Sequence, residues 1–321
     1  MRVSVIIRCY NEERHIGRLL SGILAQTWPD VEIVVVDSGS TDATVNIVSR
    51  YPVKLVEIEP SAFSFGRALN LGCAAATGDV LVFASAHVYP VYRDWLETLA
   101  AHFSDPQIAL VYGKQRGDER TRYAEHRVFA RWFPDKRTEY QKHPFCNNAN
   151  CAVRRSVWEQ MPYDETLTGL EDLDWARRAL AAGWGLTYEP HAEIVHVHEE
   201  TWKQIANRYR REAIAYRRIF PQATFDVGDF VRLWLGNTAA DWAAALRAGV
   251  LPREAYGILR FRLAQFWGTL QGYRSTATLD DHLRRRFYYP DRRLAAAPAP
   301  TRPDDLRIHY DAPPAEQERT S

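Results

Sequence analysis

Two junctions in this sequence combine acidic side chains with the elements that could hold them at a ligand. Asp37 ends a run of four β-branched residues, 33–36, and is followed by Ser-Gly-Ser-Thr-Asp and a helical pattern. Glu171 and Asp172 directly precede another amphipathic pattern, so both carboxylates are expected at a helix N-terminus. In open α/β sheets ligands bind beyond the carboxyl ends of the strands, which makes these junctions candidate sites. Turn formation at Asp37 and first-turn stabilisation of the helix are the structural alternatives.

Histidines could add a second kind of chemistry. His196 and His198 lie two apart in a segment, 193–198, that is expected to be extended, so their side chains can point to the same side. His87 follows the apolar segment 80–84, which is expected to be a buried strand. Hydrogen bonds to neighbouring glutamates are as compatible with the paired spacing as metal ligation is.

The elements that would position these residues alternate between strands and helices up to about residue 200. The expected strands are 3–9, 32–37, 53–58, 80–84 and 108–113. This alternation predicts an α/β fold in which helices cover both faces of a mostly parallel sheet. The long polar stretch 115–142 is expected to be a mobile loop.

After Thr201 the pattern contains helices without strands, at 202–219, 225–247 and 253–273. Their aromatic and arginine-rich faces could pack on the preceding domain, lie on a membrane surface or form a dimer contact. A proline-rich end predicts a disordered tail. The expected organisation is therefore a domain over 1–220, a helical region over 221–289 and a tail over 290–321.

Composition narrows the function classes. The 321 residues carry 41 basic and 40 acidic side chains, a net charge of +1, so no nucleic-acid partner is expected. We find neither a signal-peptide pattern nor an apolar run of about eighteen residues, which predicts a cytoplasmic location, extending at most to the inner face of the membrane. The four cysteines are expected to be buried free thiols. Because G-x-G-x-x-G and G-x-x-x-x-G-K-[ST] are both missing, dinucleotide-binding and P-loop enzymes are poorly supported.

Four motifs in order give the chain a resemblance to a known family. They are Cys9-Tyr10-Asn11-Glu12-Glu13, Val36-Asp37-Ser38-Gly39-Ser40-Thr41-Asp42, Arg67 with Asn70 and Gly72 ahead of Gly78-Asp79, and Gly169-Leu170-Glu171-Asp172-Leu173-Asp174. Over roughly residues 2 to 200 the chain resembles the family 2 glycosyltransferases with the GT-A fold. The resemblance implies a mixed, mostly parallel sheet flanked by helices, here with a C-terminal helical appendage. It also implies inverting transfer of a sugar from a nucleotide-activated donor to a saccharide or lipid-linked acceptor, in surface polysaccharide or glycolipid synthesis.

The resemblance further implies roles for individual residues. Asp172, the second acid of its pair, would be the catalytic base that deprotonates the acceptor hydroxyl, with Glu171, Asn148 and Asn150 on the acceptor side. The donor nucleotide would be held by Cys9, Tyr10, Asn11, Glu12, Asp37, Ser38, Arg67, Ser85 and His87. Carboxylates in that set accept hydrogen bonds from base or ribose donors. A surface position for Arg67 and asparagines that satisfy their own backbone remain open alternatives.

One motif of the family is replaced. Where its members carry Asp-x-Asp to hold Mg²⁺ or Mn²⁺ at the donor phosphates, this chain has Ser85-Ala86-His87. The change removes about two negative charges from a site for hard cations that prefer oxygen, so a divalent metal cofactor becomes one alternative among three. His87 binds a softer ion such as Mn²⁺ with His196 or, preferably, His198; or His87 donates a hydrogen bond to the leaving phosphate without a metal; or activity is lost.

Two function classes therefore compete. One is an inverting glycosyltransferase, and the other is a non-catalytic sugar-nucleotide or glycan-binding relative that lost the metal triplet. Retention of Glu171 and Asp172 favours the enzyme, because a binding protein needs no base. A sugar nucleotidylyltransferase is disfavoured, because the sequence after the first strand is not the glycine-rich, basic loop that such an enzyme needs. In the favoured class, 115–142 is expected to be a mobile acceptor loop.

Overall fold

A computed structural model describes residues 1–274 and 304–310 of the chain. Its strands are β1 Val3–Cys9, β2 Glu32–Asp37, β3 Lys54–Glu57, β4 Val80–Ser85, β5 Val88–Pro90, β6 Ile108–Arg116, β7 Asn150–Arg154 and β8 Gly185–His196. Its helices are α1 Ile16–Leu24, α2 Thr44–Val48, α3 Phe65–Ala75, α4 Trp95–Ala100, α5 Tyr123–Trp132, α6 Arg155–Gln160, α7 Glu171–Ala181, α8 Trp202–Ile219, α9 Val227–Arg247 and α10 Leu251–Tyr273. Short 3-10 turns occur at Pro60–Ala62, Ala101–Ser104 and Asp304–Leu306.

The strands form one eight-stranded sheet in the order β3-β2-β1-β4-β7-β6-β8-β5. β1 runs parallel to β2 and β4, β2 to β3, and β6 to β8. β7 is antiparallel to β4 and β6, and β5 is antiparallel to β8. Crossover helices connect the parallel strands, as parallel pairing requires. The predicted α/β fold with a mixed, mostly parallel sheet is confirmed.

The first strand shows why the core sequence is almost continuously apolar. Val5 and Ile7 point into a buried cluster that includes Leu19 of α1, whereas Ile6 points into the opposite cluster with Leu69 of α3. A strand covered by helices on both faces has no polar face to display. Pairing of Cys9 with Asp37, and of residue 8 with residue 85, brings the carboxyl ends of β1, β2 and β4 to one edge.

The stretch 115–142 is more ordered than the sequence predicted. β6 continues to Arg116, and α5 occupies Tyr123–Trp132. Val128 of α5 is buried in a cluster with Ile205 of α8 and Phe261 of α10. The prediction of a long mobile loop is therefore wrong for α5, because the apolar side of this helix is covered by the C-terminal helices.

The C-terminal helices pack on the sheet domain. Leu173 of α7 shares a buried cluster with Ala213 of α8, Leu233 of α9 and Phe266 of α10. A buried ion pair, Arg262 to Asp241 at 2.7 Å, also ties α10 to α9. The described parts of the predicted regions 1–220 and 221–289 therefore share buried clusters. None of the described helices combines the length and the apolar character needed to cross a bilayer.

Residues 304–310 correct part of the predicted tail. The amide of Arg93 donates to the carbonyl of Leu306 at 2.7 Å, and the amide of Ile308 donates to the carbonyl of Val91 at 2.9 Å. These backbone bonds attach the segment beside the edge strand β5, so the prediction of disorder does not hold there. The rest of the predicted tail lies outside the described residues. The four cysteines are buried free thiols, as expected.

Candidate active site

A cleft of about 640 Å³ opens at the carboxyl edge of β1 and β4. One wall is the segment 11–15 after β1, and a second is the segment 169–172 at the start of α7. The end of β8 and the N-terminal half of α8 form a third wall, and α5 contributes aromatic side chains. The cleft therefore collects both the acidic pair and the histidines that the sequence singled out.

The acidic pair lies where α7 begins. Leu170 adopts the left-handed conformation, with φ 55°, which turns the chain sharply into the helix. Asp172 is 8% exposed, and its Oδ2 and Oδ1 accept hydrogen bonds from the amides of Asn148 (3.0 Å) and Leu173 (2.8 Å). Burial, followed by the charge of Glu171, raises the pKa of Asp172 to about 7. A carboxylate with a near-neutral pKa on a cleft wall is suited to general base chemistry.

Arg8 is a site residue that the sequence analysis missed. Its Nη1 lies 2.9 Å from Oε1 of Glu171, and its guanidinium lies 5.1 Å from the ring centre of Phe65. Arg211 of α8 also lies over that ring, at 4.7 Å. The available signal was a single charged residue inside an otherwise apolar first strand. Glu171 is therefore paired with Arg8, and any contact that it makes with the acceptor substrate would be made while this ion pair is present.

Three histidines of the same cleft meet where β8 ends. The rings of His87 and His196 stack with centroids 5.1 Å apart, and His196 and His198 lie 4.1 Å apart. Their ligand atoms all lie within 4.8 Å of one another. Each Nδ1 is hydrogen-bonded to a side-chain oxygen. The three bonds are His87 to Glu12 Oε1 (2.7 Å), His196 to Gln115 Oε1 (2.7 Å) and His198 to Glu125 Oε1 (2.8 Å).

These bonds leave the Nε2 atoms as the ligating atoms. Nε2 of His196 is buried without a hydrogen-bond partner among the described residues. Burial lowers the pKa of His198 and lowers that of His196 further, so both imidazoles are neutral, as metal ligation requires. An acceptor on the other ring nitrogen is the usual support of a metal-binding histidine. The residues therefore fit a divalent ion with nitrogen ligands.

A second group of potential ligands serves another purpose. Glu125 and Glu200 lie near His198, but Arg208 contacts both carboxylates, at 3.1 Å and 2.7 Å. Charge and hydrogen bonds lower the pKa of Glu125 despite its burial. This group is an ion-pair network that supports His198 from behind.

The predicted donor residues divide into two sets. Asn11, Glu12, Ser85 and His87 line the cleft, whereas Cys9, Tyr10, Asp37, Ser38 and Arg67 do not. Asp37 is buried, and its Oδ2 accepts hydrogen bonds from the amides of Gly39 (2.9 Å) and Ser40 (2.8 Å). These bonds support the turn-forming alternative for Asp37. Cys9 is buried, with its thiol 3.5 Å from Oδ1 of Asp37, and Tyr10 is 55% exposed.

Arg67, Asn148 and Asn150 differ in whether they line the cleft. Arg67 pairs with Glu165 at 3.4 Å on the surface, which supports its surface alternative. Asn148 lines the cleft, and its Nδ2 is buried without a described partner. Asn150 is fully buried, accepts from Trp95 Nε1 (2.9 Å) and donates to the carbonyls of residues 114 and 192. These bonds support the alternative in which the amide of Asn150 satisfies groups of the protein itself.

The chain is similar in sequence to known proteins. A family model described as Glycosyl transferase family 2 matches residues 4–161. The O-antigen chain rhamnosyltransferase RfbN of Salmonella typhimurium is 29% identical over 222 residues, covering 65% of this chain and 70% of that protein. The glycosyltransferase AglE of Haloferax volcanii is 26% identical over 252 residues, covering 71% and 81%.

Solved structures give the same architecture. The mannosyltransferase PcManGT of Pyrobaculum calidifontis, in complex with GDP-Man and Mn²⁺, superposes with a TM-score of 0.57 and 24% identity over 85% of this chain and 84% of that one. Residues 1–349 of TarS of S. aureus, in complex with UDP, give a TM-score of 0.51 and 18% identity, covering 84% and 90%. At these identities the structures establish the fold.

Proposed function

The chain belongs to glycosyltransferase family 2, and from this premise we propose that it transfers a sugar with inversion to a saccharide or lipid-linked acceptor. The nucleotide-activated donor would lie in the cleft, and the product would belong to a surface polysaccharide or glycolipid. The observation that carries the proposal is Asp172, a buried carboxylate of near-neutral pKa in the cleft that also contains the histidine cluster. A rhamnosyltransferase of O-antigen chains among the relatives supports the acceptor class. The comparisons offer no support for a non-catalytic relative.

The proposed reaction needs a base whose carboxylate is held in a fixed orientation. Asp172 takes the proton of the acceptor hydroxyl while that oxygen attacks the anomeric carbon. The bond from this carbon to the phosphate oxygen breaks, and the bonding pair leaves with the nucleotide. The amides of Asn148 and Leu173 fix the carboxylate, so little reorganisation accompanies the proton transfer.

We also infer that His87, His196 and His198 hold a divalent metal. Imidazole nitrogens suit Mn²⁺, Fe²⁺ or Zn²⁺ better than Mg²⁺, which prefers oxygen ligands. The partnerless Nε2 of His196 supports this assignment, because a buried nitrogen without a partner is unfavourable. When bound, the ion would offset negative charge on the donor phosphates. Glu12, Gln115 and Glu125 hold the imidazoles in the orientation that this requires.

The C-terminal helices supply a proposed membrane contact. On α9 the exposed apolar residues Val231, Leu235 and Leu246 recur at helical spacing, and Trp267 of α10 is 40% exposed. Arg253, near the start of α10, is also exposed. Apolar and aromatic side chains beside arginines suit the headgroup region of an anionic bilayer, which would place the enzyme at the inner membrane face, near a lipid-linked acceptor.

Vesicle binding tests this contact. The protein should co-sediment with vesicles that contain phosphatidylglycerol and not with pure phosphatidylcholine vesicles, and Leu235→Asp should abolish the binding. Glu159→Gln, on the remote helix α6, is the control. Dimerisation in light scattering that is lost in Leu235→Asp, without vesicle binding, would assign the surface to a second copy instead.

A donor panel tests the transferase itself. UDP-, GDP-, dTDP- and CMP-sugars are incubated with saccharide and lipid-linked acceptors in the presence of Mn²⁺, and the anomeric configuration of the product is read by NMR. We expect transfer from one donor class with inverted configuration. Retention of configuration would contradict the single-displacement mechanism, and tight nucleotide-sugar binding without turnover on any acceptor would favour the non-catalytic relative.

A further inference from the structure

The C-terminal segment 304–310 reaches the wall of the cleft through aromatic side chains. The hydroxyl of Tyr310 donates to the carbonyl of Pro90 at 2.8 Å, and the Tyr310 ring lies 5.7 Å from that of Tyr89. The guanidinium of Arg18 lies over both rings, at 4.5 Å from Tyr89 and 4.9 Å from Tyr310. The three side chains therefore form one stack at the edge of the sheet.

The stack requires a glycine in α1. A Cβ atom at Gly22 would collide with the hydroxyl of Tyr310. Gly22 and Tyr310 lie far apart in the sequence, yet a larger residue at position 22 would displace the Tyr310 side chain. The contact can therefore be broken from either side, which gives two independent ways to release the segment.

Through Tyr89, the stack contacts His15, a residue that lines the cleft. The hydroxyl of Tyr89 is hydrogen-bonded to Nδ1 of His15, whose ring lies 6.5 Å from that of His87. When the phenol donates this hydrogen bond to Nδ1, the imidazole of His15 carries its proton on Nε2. His15 lines the cleft beside Glu12 and His87.

We propose that Nε2 of His15 donates a hydrogen bond to a phosphate oxygen of the donor nucleotide and that Tyr310 is a positioning residue, which fixes His15 through Tyr89. The inference rests on the proposed function, because that function places the nucleotide in this cleft. Arg18 neither lines the cleft nor pairs with a described carboxylate, so its role is to hold the two tyrosines together. Donor binding thus depends on a segment at the far end of the chain.

A double-mutant cycle in the full chain tests the contact. Tyr310→Ala and Gly22→Ala are each expected to raise the donor KM about tenfold, the effect of losing one hydrogen bond to a charged group, while kcat and the acceptor KM stay within about twofold. In the Tyr310→Ala background, Gly22→Ala should add nothing, because the colliding hydroxyl is gone. Tyr256→Ala, at an exposed tyrosine of α10, is the control.

Two further measurements distinguish a specific effect of Tyr310 on His15 from a general disturbance of the structure. In protein labelled with ¹⁵N-histidine, Tyr310→Ala should move the imidazole signals of His15 and leave those of His102, which is held by Glu189, in place. In His15→Ala protein, which itself should raise the donor KM, Tyr310→Ala should have no further effect. Unmoved His15 signals, or additive effects of Tyr310→Ala and His15→Ala, would overturn the proposal.

The same experiments separate this inference from the proposed function. If the wild type transfers no sugar, the dissociation constants of UDP and GDP replace KM as the readout. Weakened nucleotide binding in Tyr310→Ala and His15→Ala would then support the phosphate contact although the transfer proposal had failed. Normal transfer with a donor KM that neither variant changes would overturn this inference alone.

Discussion

Burial shifts pKa values in opposite directions at the two walls of the cleft, because one wall carries a carboxyl group and the other carries imidazoles. At the α7 wall, burial raises the pKa of Asp172, and at the β8 wall, burial lowers the pKa values of His196 and His198. Desolvation disfavours the charged form in both places. In the proposed reaction the carboxylate, which is ionised above about pH 7, would act as the base, and the neutral imidazoles would act as metal ligands. Burial within one cleft would therefore suit both proposed roles.

The walls differ in how their side chains are held. Asp172 accepts hydrogen bonds from two backbone amides, one of its neighbour Leu173 and one of Asn148, which lies 24 residues earlier in the chain. The histidines are fixed by Glu12, Gln115 and Glu125, which come from three separate parts of the chain. The acid wall is thus held by backbone amides and by the ion pair of Glu171 with Arg8, whereas the histidine wall is held by side-chain oxygens, and both depend on the assembled fold.

The largest expected effect is at the acid wall. Asp172→Asn keeps the size of the side chain and removes the base, so kcat should fall about a thousandfold while the donor KM changes little. Asp226→Asn is the matched control, because the side chain of this aspartate also accepts a backbone amide hydrogen bond at the start of a helix but lies outside the cleft, and asparagine caps equally well. Steady-state kinetics of both variants check the prediction, and a kcat above one tenth of the wild-type value would remove Asp172 as the base.

The next effect is at the histidine wall. His196→Ala removes a ligand that is buried and already oriented, so Mn²⁺ affinity should fall by more than about a hundredfold, beyond the loss expected for an outer partner. Calorimetric titration with Mn²⁺ measures this. His102→Ala, at a histidine bound to Glu189 and outside the cleft, should leave Mn²⁺ affinity unchanged. Equal affinities in the two variants would contradict the metal site.

The pH dependence separates the walls without any mutation. Because the pKa of Asp172 is raised to about 7, the base is ionised only above that pH. With saturating Mn²⁺, single-turnover rates should fall about tenfold per pH unit below 7 and level off above it. The lowered pKa values of His196 and His198 keep these two imidazoles neutral over this range, so protonation of neither should weaken Mn²⁺ binding between pH 8 and 6.5. A flat rate profile from pH 8 to 6 would contradict the assignment of the base.

The supporting shell of the histidine wall should show a smaller effect. Gln115→Leu removes the acceptor for Nδ1 of His196 and should weaken Mn²⁺ binding about tenfold. Gln115→Glu keeps an acceptor oxygen and should restore the affinity. A leucine variant that binds Mn²⁺ as tightly as the wild type would show that this hydrogen bond does not orient a ligand.

The smallest effect is expected outside both walls. Arg67 pairs with Glu165 on the surface and does not line the cleft, so Arg67→Ala should change the donor KM less than about twofold. Donor titrations of this variant decide between the surface position and the nucleotide contact that the family resemblance implies. A tenfold rise in KM would restore Arg67 to the donor site.

The sequence predicted the local parts of the molecule well. The strands Val3–Cys9 and Glu32–Asp37 were placed to the residue, because burial on both faces leaves an apolar run with sharp ends. The placement of Glu171 and Asp172 at the start of α7 was likewise correct, since adjacent residues and their helix are visible in the sequence. The prediction that His198 lies on the strand was wrong, because β8 ends at His196.

Features that depend on distant contacts were missed. Arg8 gains its place only when Glu171, far along the chain, meets it, and the hydrogen bonds of Gln115 and Glu125 to the histidines exist only in the assembled sheet. Asn150 looked like a cleft residue because amides cluster around it, but its pairing across the sheet buries it. Sequence spacing carries no information on such pairings.

The central claim is that three imidazoles take the place of the missing Asp-x-Asp carboxylates. Pulsed EPR of Mn²⁺ bound to the full chain measures this directly, because ligating nitrogens couple to the electron spin and carboxylate oxygens do not. We predict nitrogen couplings in the wild type that change on ¹⁵N-histidine labelling and diminish in His196→Ala. A spectrum with couplings from water alone, unchanged by the labelling, would contradict the claim.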